Sequence, residues 1–192
     1  MSARRRTRLV LLGPPGAGKG TQAAAIKDGL GVPHVSTGDM LREAVARGTE
    51  IGRQAKAVMD AGKLVSDAIV IGIAKERLSQ PDAEKGFILD GFPRTIAQAE
   101  ALDALLGDLG MPLDACLAIT ADTEAIVARL LKRAEIEGRA DDNEATIRAR
   151  MKEYDAKTAP LLAYYRERGL LAEVDGMGEV AAVTSRIMEV IG

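Results

Sequence analysis

The chain has one cysteine, Cys116, and one histidine, His34, among 192 residues. A single cysteine excludes an intramolecular disulfide. The two residues together cannot build a zinc site of the usual kind, which needs several thiolates or imidazoles. A lone thiol accords with a reducing cytoplasm, the expected location. Both residues lie among apolar neighbours, which predicts places in packed strands and no catalytic part for either. An excess of charge is missing too: 26 Lys and Arg against 28 Asp and Glu leave a formal net charge of −2, so nothing points to a nucleic-acid partner. No apolar run approaches the roughly twenty residues of a membrane-crossing helix, and no membrane partner is expected. Arg4-Arg5-Arg6 ahead of residues 9–12 has the order of a secretory signal. That apolar stretch is too short for the part, so a solvated terminus leading into a strand is the expected reading. Repeats, low-complexity tracts and linkers are absent as well. What remains, 47% hydrophobic and 28% charged, is the profile of one enzyme-sized unit with a sizeable core.

The stretch that organises the chain is Gly13-Pro14-Pro15-Gly16-Ala17-Gly18-Lys19-Gly20-Thr21. It follows Leu9-Val10-Leu11-Leu12, an apolar tetrad of the kind a strand buried on both faces needs. It precedes a run of good helix formers from Gln22 to Lys27. Strand, glycine-rich turn and helix make a phosphate-binding loop: the bent backbone aims successive N–H groups into one cavity, and the helix N-terminus adds its dipole. Lys19 supplies a point charge for the outer phosphates. In the general pattern a Ser or Thr directly follows the lysine as a magnesium ligand. Here Gly20 takes that slot and the hydroxyl comes at Thr21, which weakens a motor or GTPase reading.

Downstream, a helix is expected over 19–30, stopped by Gly29-Leu30-Gly31, and a short strand over 33–36. Ser36 to Asp39 reads as a turn capping a helix over 40–47. Thr49 is the expected cap of a second helix over 51–61, and a third should start near Ser66. Further buried strands are expected at 86–91, ending in Asp90, at 115–119, and at 170–174. Helices are expected over 95–106, closed by Gly107, and after Asp122. A long one should follow a capping box of Asp141 and Glu144 and run to about residue 168, kinked at Pro160, with a last one from about Glu179. Short apolar strands alternating with helices predict an α/β fold, a parallel sheet covered by helices on both faces. The whole of 1–192 reads as one domain carrying an all-helical insert at 36–65.

Asp90 ends a buried strand, where an acid can hold magnesium through water. Gly91-Phe92-Pro93-Arg94 follows at once and sends an arginine over the strand ends, where ligands bind in open parallel sheets. Arg129 and Arg133 are four apart and share a helix face, Arg139 lies on a short connection, and Arg150 on the helix beyond. With Arg94 and the phosphate loop, they suit two phosphate chains meeting head to head. No Ser–His pair, no protein-kinase catalytic loop and no histidine base is found. Transfer to a phosphate acceptor needs none, because a phosphate monoester is already largely dianionic at neutral pH. Positioning and charge neutralisation can then carry catalysis.

Taken together, these motifs resemble the adenylate kinases, a nucleoside monophosphate kinase family, along essentially the full chain. The resemblance rests on the loop at 13–21 with glycine after the lysine, and on Ser36-Thr37-Gly38-Asp39-Met40-Leu41-Arg42 and Gly62-Lys63-Leu64-Val65. It rests equally on Asp90-Gly91-Phe92-Pro93-Arg94-Thr95-Ile96-Ala97-Gln98 and Gly138-Arg139-Ala140-Asp141-Asp142. It implies a P-loop fold and magnesium-dependent, reversible transfer, ATP + AMP ⇌ 2 ADP, by a monomer whose partners are these small nucleotides. Residues Gly16, Ala17, Gly18, Lys19, Gly20, Thr21, Arg133 and the backbone near Gly178 would hold ATP. Thr37, Arg42, Lys63, Leu64, Val65, Gly91, Phe92, Pro93, Arg94, Gln98, Arg139 and Arg150 would hold AMP, with the 36–65 insert closing over it. Lys19, Arg94, Arg129, Arg133, Arg139 and Arg150 would surround the transferring group. Many bacterial relatives have a long lid, sometimes with a cysteine zinc site; the segment 132–142 resembles the short form without structural zinc. Gln98 stands one helical turn after Arg94 and can pair with the exocyclic amine and a ring nitrogen of adenine. In UMP/CMP kinases of the same fold an asparagine typically takes that place and an alanine that of Thr37. Such a kinase is the nearest alternative, and an ATP-binding module without turnover is the alternative from another class.

Overall fold

In the structure, a computed structural model that describes residues 4–14, 16–63, 65–138 and 143–192, five strands form one parallel sheet in the order β2-β3-β1-β4-β5. The strands are β1 (Arg8–Leu12), β2 (His34–Ser36), β3 (Phe87–Asp90), β4 (Ala115–Thr120) and β5 (Leu171–Asp175). The helices are α1 (Lys19–Leu30), α2 (Thr37–Arg47), α3 (Glu50–Asp60), α4 (Asp67–Leu78), α5 (Ile96–Asp108), α6 (Thr123–Glu137), α7 (Glu144–Glu167) and α8 (Val180–Ile191). This is the expected α/β architecture.

The apolar run of β1 is explained by its central place between β3 and β4. Successive side chains leave opposite faces, so both need cover. Leu9 and Leu11 join Ile88, Leu117 and Ile119 in a core closed by Ile26 of α1, Ile126 of α6 and Ile187 of α8. Val10 and Leu12 face the other way, into a core with Leu89 and Cys116 closed by Ile73, Leu102 and Tyr165. Met40, Ala44 and Ala55 belong to this second core, so the α2–α3 insert is packed on the same face. Cys116 is fully buried in β4, as expected.

The chain leaves β1 for β2 on one side and leaves β3 for β4 on the other, which puts the topological switch beside β1. In such sheets ligands bind outside the carboxyl ends of strands at that point. The register makes those ends level: Leu11 lies opposite Asp90, and Asp90 opposite Ser36.

Side-chain caps set most helix starts: those at Ser36, Thr49 and Asp122 are the expected ones, while Ser66 and Thr95 are caps that the sequence reading missed. Ser36, Thr49, Ser66, Thr95 and Asp122 each accept a hydrogen bond from the N–H three residues on. Three expectations are corrected. Helix α2 begins at Thr37, directly after its cap and not at Met40. Gly107 does not close α5, which runs on to Asp108; the glycine in the left-handed region is Gly110, with φ of 68°, and Met111 N donates back to the Leu106 carbonyl at 2.8 Å. Asn143, and not Asp141, caps α7 by accepting from Thr146 N at 2.9 Å; Asp141 lies outside the described residues. Helix α7 continues through Pro160.

Candidate active site

The loop after β1 is shaped by glycines that no other residue could replace without strain. Gly16 and Gly18 both take φ of 81°, the left-handed region. A β-carbon on Gly16 would also meet the Leu130 side chain at 3.0 Å. Gly18 is the residue that caps α1 and brings no side-chain acceptor, so the first N–H groups of that helix are available to an anion. A cavity of about 600 Å³ opens over the loop, walled by Gly16, Gly18, Lys19 and Thr21, by Gly91, Pro93 and Arg94 after β3, and by Arg133 and Arg150. A second cavity of about 310 Å³ lies on the other flank, between Arg129 and Leu130 of α6 and Gly176, Gly178 and Val180 after β5. Gly16, Gly18, Thr21 and Arg133 line both. The loop therefore borders two chambers, one toward β3 and one toward β5.

Asp90 stands at the centre of the polar groups. Lys19 Nζ lies 2.8 Å from its Oδ1, and His34 Nε2 3.0 Å from its Oδ2. Burial raises the Asp90 pKa, but the hydrogen bonds and charges of His34 and Lys19 outweigh it and hold the carboxyl below the usual range.

On the β3 side, the carbonyl of Gly91 receives two donors, Thr37 Oγ1 at 3.0 Å and Arg94 Nε at 2.7 Å. Gly91 has φ of 83°, the sharp turn expected after Asp90. Gln98 is buried, accepts at Oε1 from Arg94 N at 2.8 Å and donates from Nε2 to Asp67 Oδ1 at 2.7 Å. Thr37, Gly91, Arg94 and Gln98 are thus brought together. Pro93 and Arg150 line the larger cavity, whereas Arg42, Lys63, Val65 and Phe92 are held elsewhere. Arg42 is exposed and sits 2.5 Å from Asp39 Oδ1, an interaction that holds the Asp39 carboxyl below its ordinary value. Lys63 is exposed beyond the end of α3, and Val65 packs against the core. Phe92 is buried in that core, so its own part in a ligand site is limited to the main chain. Leu64 and Arg139 lie outside the described residues.

The arginines divide between the chambers. Arg129 Nη1 donates to the carbonyl of Gly16 at 3.0 Å, bracing the loop from the β5 side. Arg133, one turn on, lines both cavities, and Arg150 lines the larger one. Gly178 lines the smaller with φ of 102°.

A family model, adenylate kinase, matches residues 11–170, a span that holds the loop, the Asp90 turn and the arginines Arg94, Arg129, Arg133 and Arg150. The chain belongs to the adenylate kinase family. Proteins named adenylate kinase are similar to it over nearly their whole length. One from Stenotrophomonas maltophilia (strain R551-3) is 54% identical over 184 residues, covering 96% of this chain and 98% of its own. Another from Chelativorans sp. (strain BNC1) is 55% identical over 186 residues, covering 94% and 96%. A third, from Xylella fastidiosa (strain 9a5c), is 52% identical over 185 residues, covering 96% and 99%.

Within this family frame, three groups at the site escaped the sequence reading. His34 does lie on a strand, but its ring is partly exposed and reaches Asp90, a contact visible only once β2 is laid beside β3. Asp67 looks like an ordinary acid in a first helical turn, yet it holds Gln98. Tyr154, Lys157 and Thr158 of α7 line the larger cavity beside Arg150. Their spacing of three and four residues was the available signal. Burial lifts the Tyr154 phenol to about 12, so it stays protonated, a donor at neutral pH.

Proposed function

We infer that this protein catalyses reversible phosphoryl transfer from ATP to AMP, giving two molecules of ADP. The observation that carries the reading is one cavity whose wall brings together the phosphate loop with Lys19, the turn of Gly91, Pro93 and Arg94, and the arginines Arg133 and Arg150. Such an arrangement suits a donor and an acceptor phosphate meeting in the middle.

In this reading ATP lies across the loop, its phosphates on the N–H groups of residues 16–21 and Lys19, its base in the chamber beside Gly178. AMP enters from the β3 side, its phosphate toward Arg94 and Arg150 and its base toward Gln98. The acceptor is already largely dianionic near neutral pH, its second pKa being about 6, so no residue has to remove a proton. The chain's work is to align the two phosphates and to neutralise the charge that gathers between them. Lys19 and the arginines supply that neutralisation. Arg129 contributes by fixing the Gly16 carbonyl, a positioning part in place of direct contact.

Family members generally use magnesium with ATP. The residues present fit such an ion: Asp90 is a strand-terminal carboxylate beside the phosphate lysine, and among the described residues no group of three His, Cys, Asp or Glu forms a cage. One carboxylate with substrate phosphates and water is the usual holder of magnesium. Held there through water by Asp90, the ion would supply positive charge to offset that of the transferring phosphates.

The division into a main domain, an AMP-side insert at 36–65 and a short lid at 132–142 is part of the proposal. Arg42 and Lys63, both exposed, would reach a nucleotide only when the insert closes. A monomer is part of the same reading. The single thiol is free and buried, in keeping with a reducing cytoplasm, and no helix among the described residues is long and apolar enough to cross a membrane.

A coupled assay with ATP and each of AMP, UMP, CMP and GMP tests the reading. AMP is expected to be strongly preferred. Equal kcat/KM for AMP and UMP would overturn the choice of acceptor and leave the broader kinase reading.

A further inference from the structure

The amide of Gln98 is engaged at both ends. Its Oε1 accepts from the main-chain N–H of Arg94 at 2.8 Å, and its Nε2 donates to Asp67 Oδ1 at 2.7 Å. The side chain belongs to a residue only 7% exposed, so water does not compete freely for either atom. The two partners decide which end is which. A main-chain N–H can only donate and a carboxylate can only accept. Turning the amide over would set N–H against N–H and oxygen against carboxylate, breaking both hydrogen bonds.

Each amide atom has thereby used one of its two hydrogen-bonding positions. One lone pair on Oε1 and one N–H on Nε2 remain. Adenine presents an exocyclic amine beside an unprotonated ring nitrogen, and this pair matches the remaining acceptor and donor. Guanine presents a carbonyl beside a ring N–H, the reverse order, and would match only an amide turned over. Cytosine repeats the adenine order on a smaller ring, and uracil repeats that of guanine.

We propose that Asp67 is a specificity-determining positioning residue: its hydrogen bond to Gln98 fixes the amide in the orientation that accepts a base with the amine and ring-nitrogen order and rejects the carbonyl and N–H order. The inference rests on the reading of Gln98 as the group that meets the acceptor base. The Arg94 N–H anchors one point of the amide; Asp67 supplies the second, and two points fix both its plane and its sense. An acid in the first turn of a helix is ordinarily a dipole partner. Asp67 does more, because it reaches across to a residue on α5. It is itself exposed, so replacing it opens no core.

The test is kcat/KM with ATP and each of AMP, GMP, CMP and UMP for the native protein and for Asp67→Ala, Asp67→Asn and Gln98→Ala. In Asp67→Ala the AMP:GMP and CMP:UMP ratios should each fall by about tenfold, the worth of one such hydrogen bond. The AMP:CMP ratio, which reads size and not order, should hold, as should KM for ATP. Asp67→Asn should restore most of the discrimination, since its carbonyl can still accept from Nε2. If Gln98→Ala loses the AMP:GMP ratio while Asp67→Ala keeps it, the part given to Asp67 is wrong and the reading of Gln98 stands. If Gln98→Ala keeps the ratio, both fall. Equal losses for all four acceptors in Asp67→Ala would make Asp67 a support of the fold only and overturn the proposal.

Discussion

Lys19 and Asp90 meet at 2.8 Å across the carboxyl ends of two neighbouring strands. One comes from the turn after β1 and the other from the end of β3, so the pair ties the phosphate loop to the side from which the acceptor arrives. His34 occupies the second carboxylate oxygen at 3.0 Å, which leaves Asp90 flanked by donors on both sides. A lysine held in this way is pre-positioned at the cavity wall with its rotamer already restricted, and less ordering remains when phosphate binds.

Lys19→Met should therefore abolish most turnover without unfolding the chain. Lys19 is partly exposed and makes its contact at the cavity, outside both cores, so charge and not packing is lost. Loss of one preorganised group of this kind costs about 10²–10³ in kcat. The measurement pairs steady-state kinetics with thermal unfolding. A mutant with near-native kcat and an unchanged melting temperature would remove Lys19 from the reaction.

How much of this was legible in the residues follows from the range of the interactions concerned. The bounds of α1, Lys19 and Leu30, were readable because both are set locally, by the loop before and by Gly31 in the left-handed region after. The helix face shared by Arg129 and Arg133 was readable from their spacing. Which partner each would take was not, since Arg129 turns to a carbonyl in the loop. The His34–Asp90 contact depends on β2 lying next to β3 with Ser36 opposite Asp90, and strand order leaves no mark within either segment. Gly107 misled because a glycine near the end of an apolar pattern resembles a stop signal, while the left-handed turn is taken three residues later, at Gly110.

Cys116 gives a test through pH. Burial pushes its thiol from 9.0 up to about 12. Below about pH 8 the thiol is protonated in folded and unfolded chains alike and adds no pH dependence. Between 9 and 12 the unfolded chain ionises first, so stability falls as pH rises. At pH 10 the loss relative to pH 8 should be about 1 kcal/mol by denaturant titration, and Cys116→Ala should lack that share of it. At pH 8 an aromatic disulfide reagent should modify the native protein only as fast as it opens. Immediate stoichiometric labelling would contradict the burial.

Tyr165 is fully buried, and among the described residues its hydroxyl has no hydrogen-bond partner. Its ring meets Tyr164 edge to face at 5.2 Å, a contact that phenylalanine would keep. Tyr165→Phe removes an unpaired polar group without opening a cavity, so it should stabilise the protein by about 1 kcal/mol. In a chain of this size that is a rise of roughly 2–4 °C in Tm. A lower Tm would mean that the hydroxyl is paired after all.

The last prediction concerns the close approach of α2 and α3, on which the proposed closing insert depends. A β-carbon on Gly52 would lie 2.0 Å from the carbonyl oxygen of Ala44. That atom belongs to the main chain of α2 and cannot rotate away, so in Gly52→Ala the two helices must part. Overpacking of this kind costs about 1–3 kcal/mol, and the melting temperature should fall accordingly. Thr37 and Arg42 lie on α2, and Lys63 follows α3, so the displaced groups are those proposed to hold AMP. The loop at 13–21 and the chamber beside Gly178 lie on other elements. KM for AMP should therefore rise by about tenfold or more, while KM for ATP stays near native, because only the AMP-side contacts are moved. An equal rise in both would show that the insert is coupled to the ATP chamber. No change in either, with native stability, would mean that α2 and α3 do not approach as closely as the glycine requires.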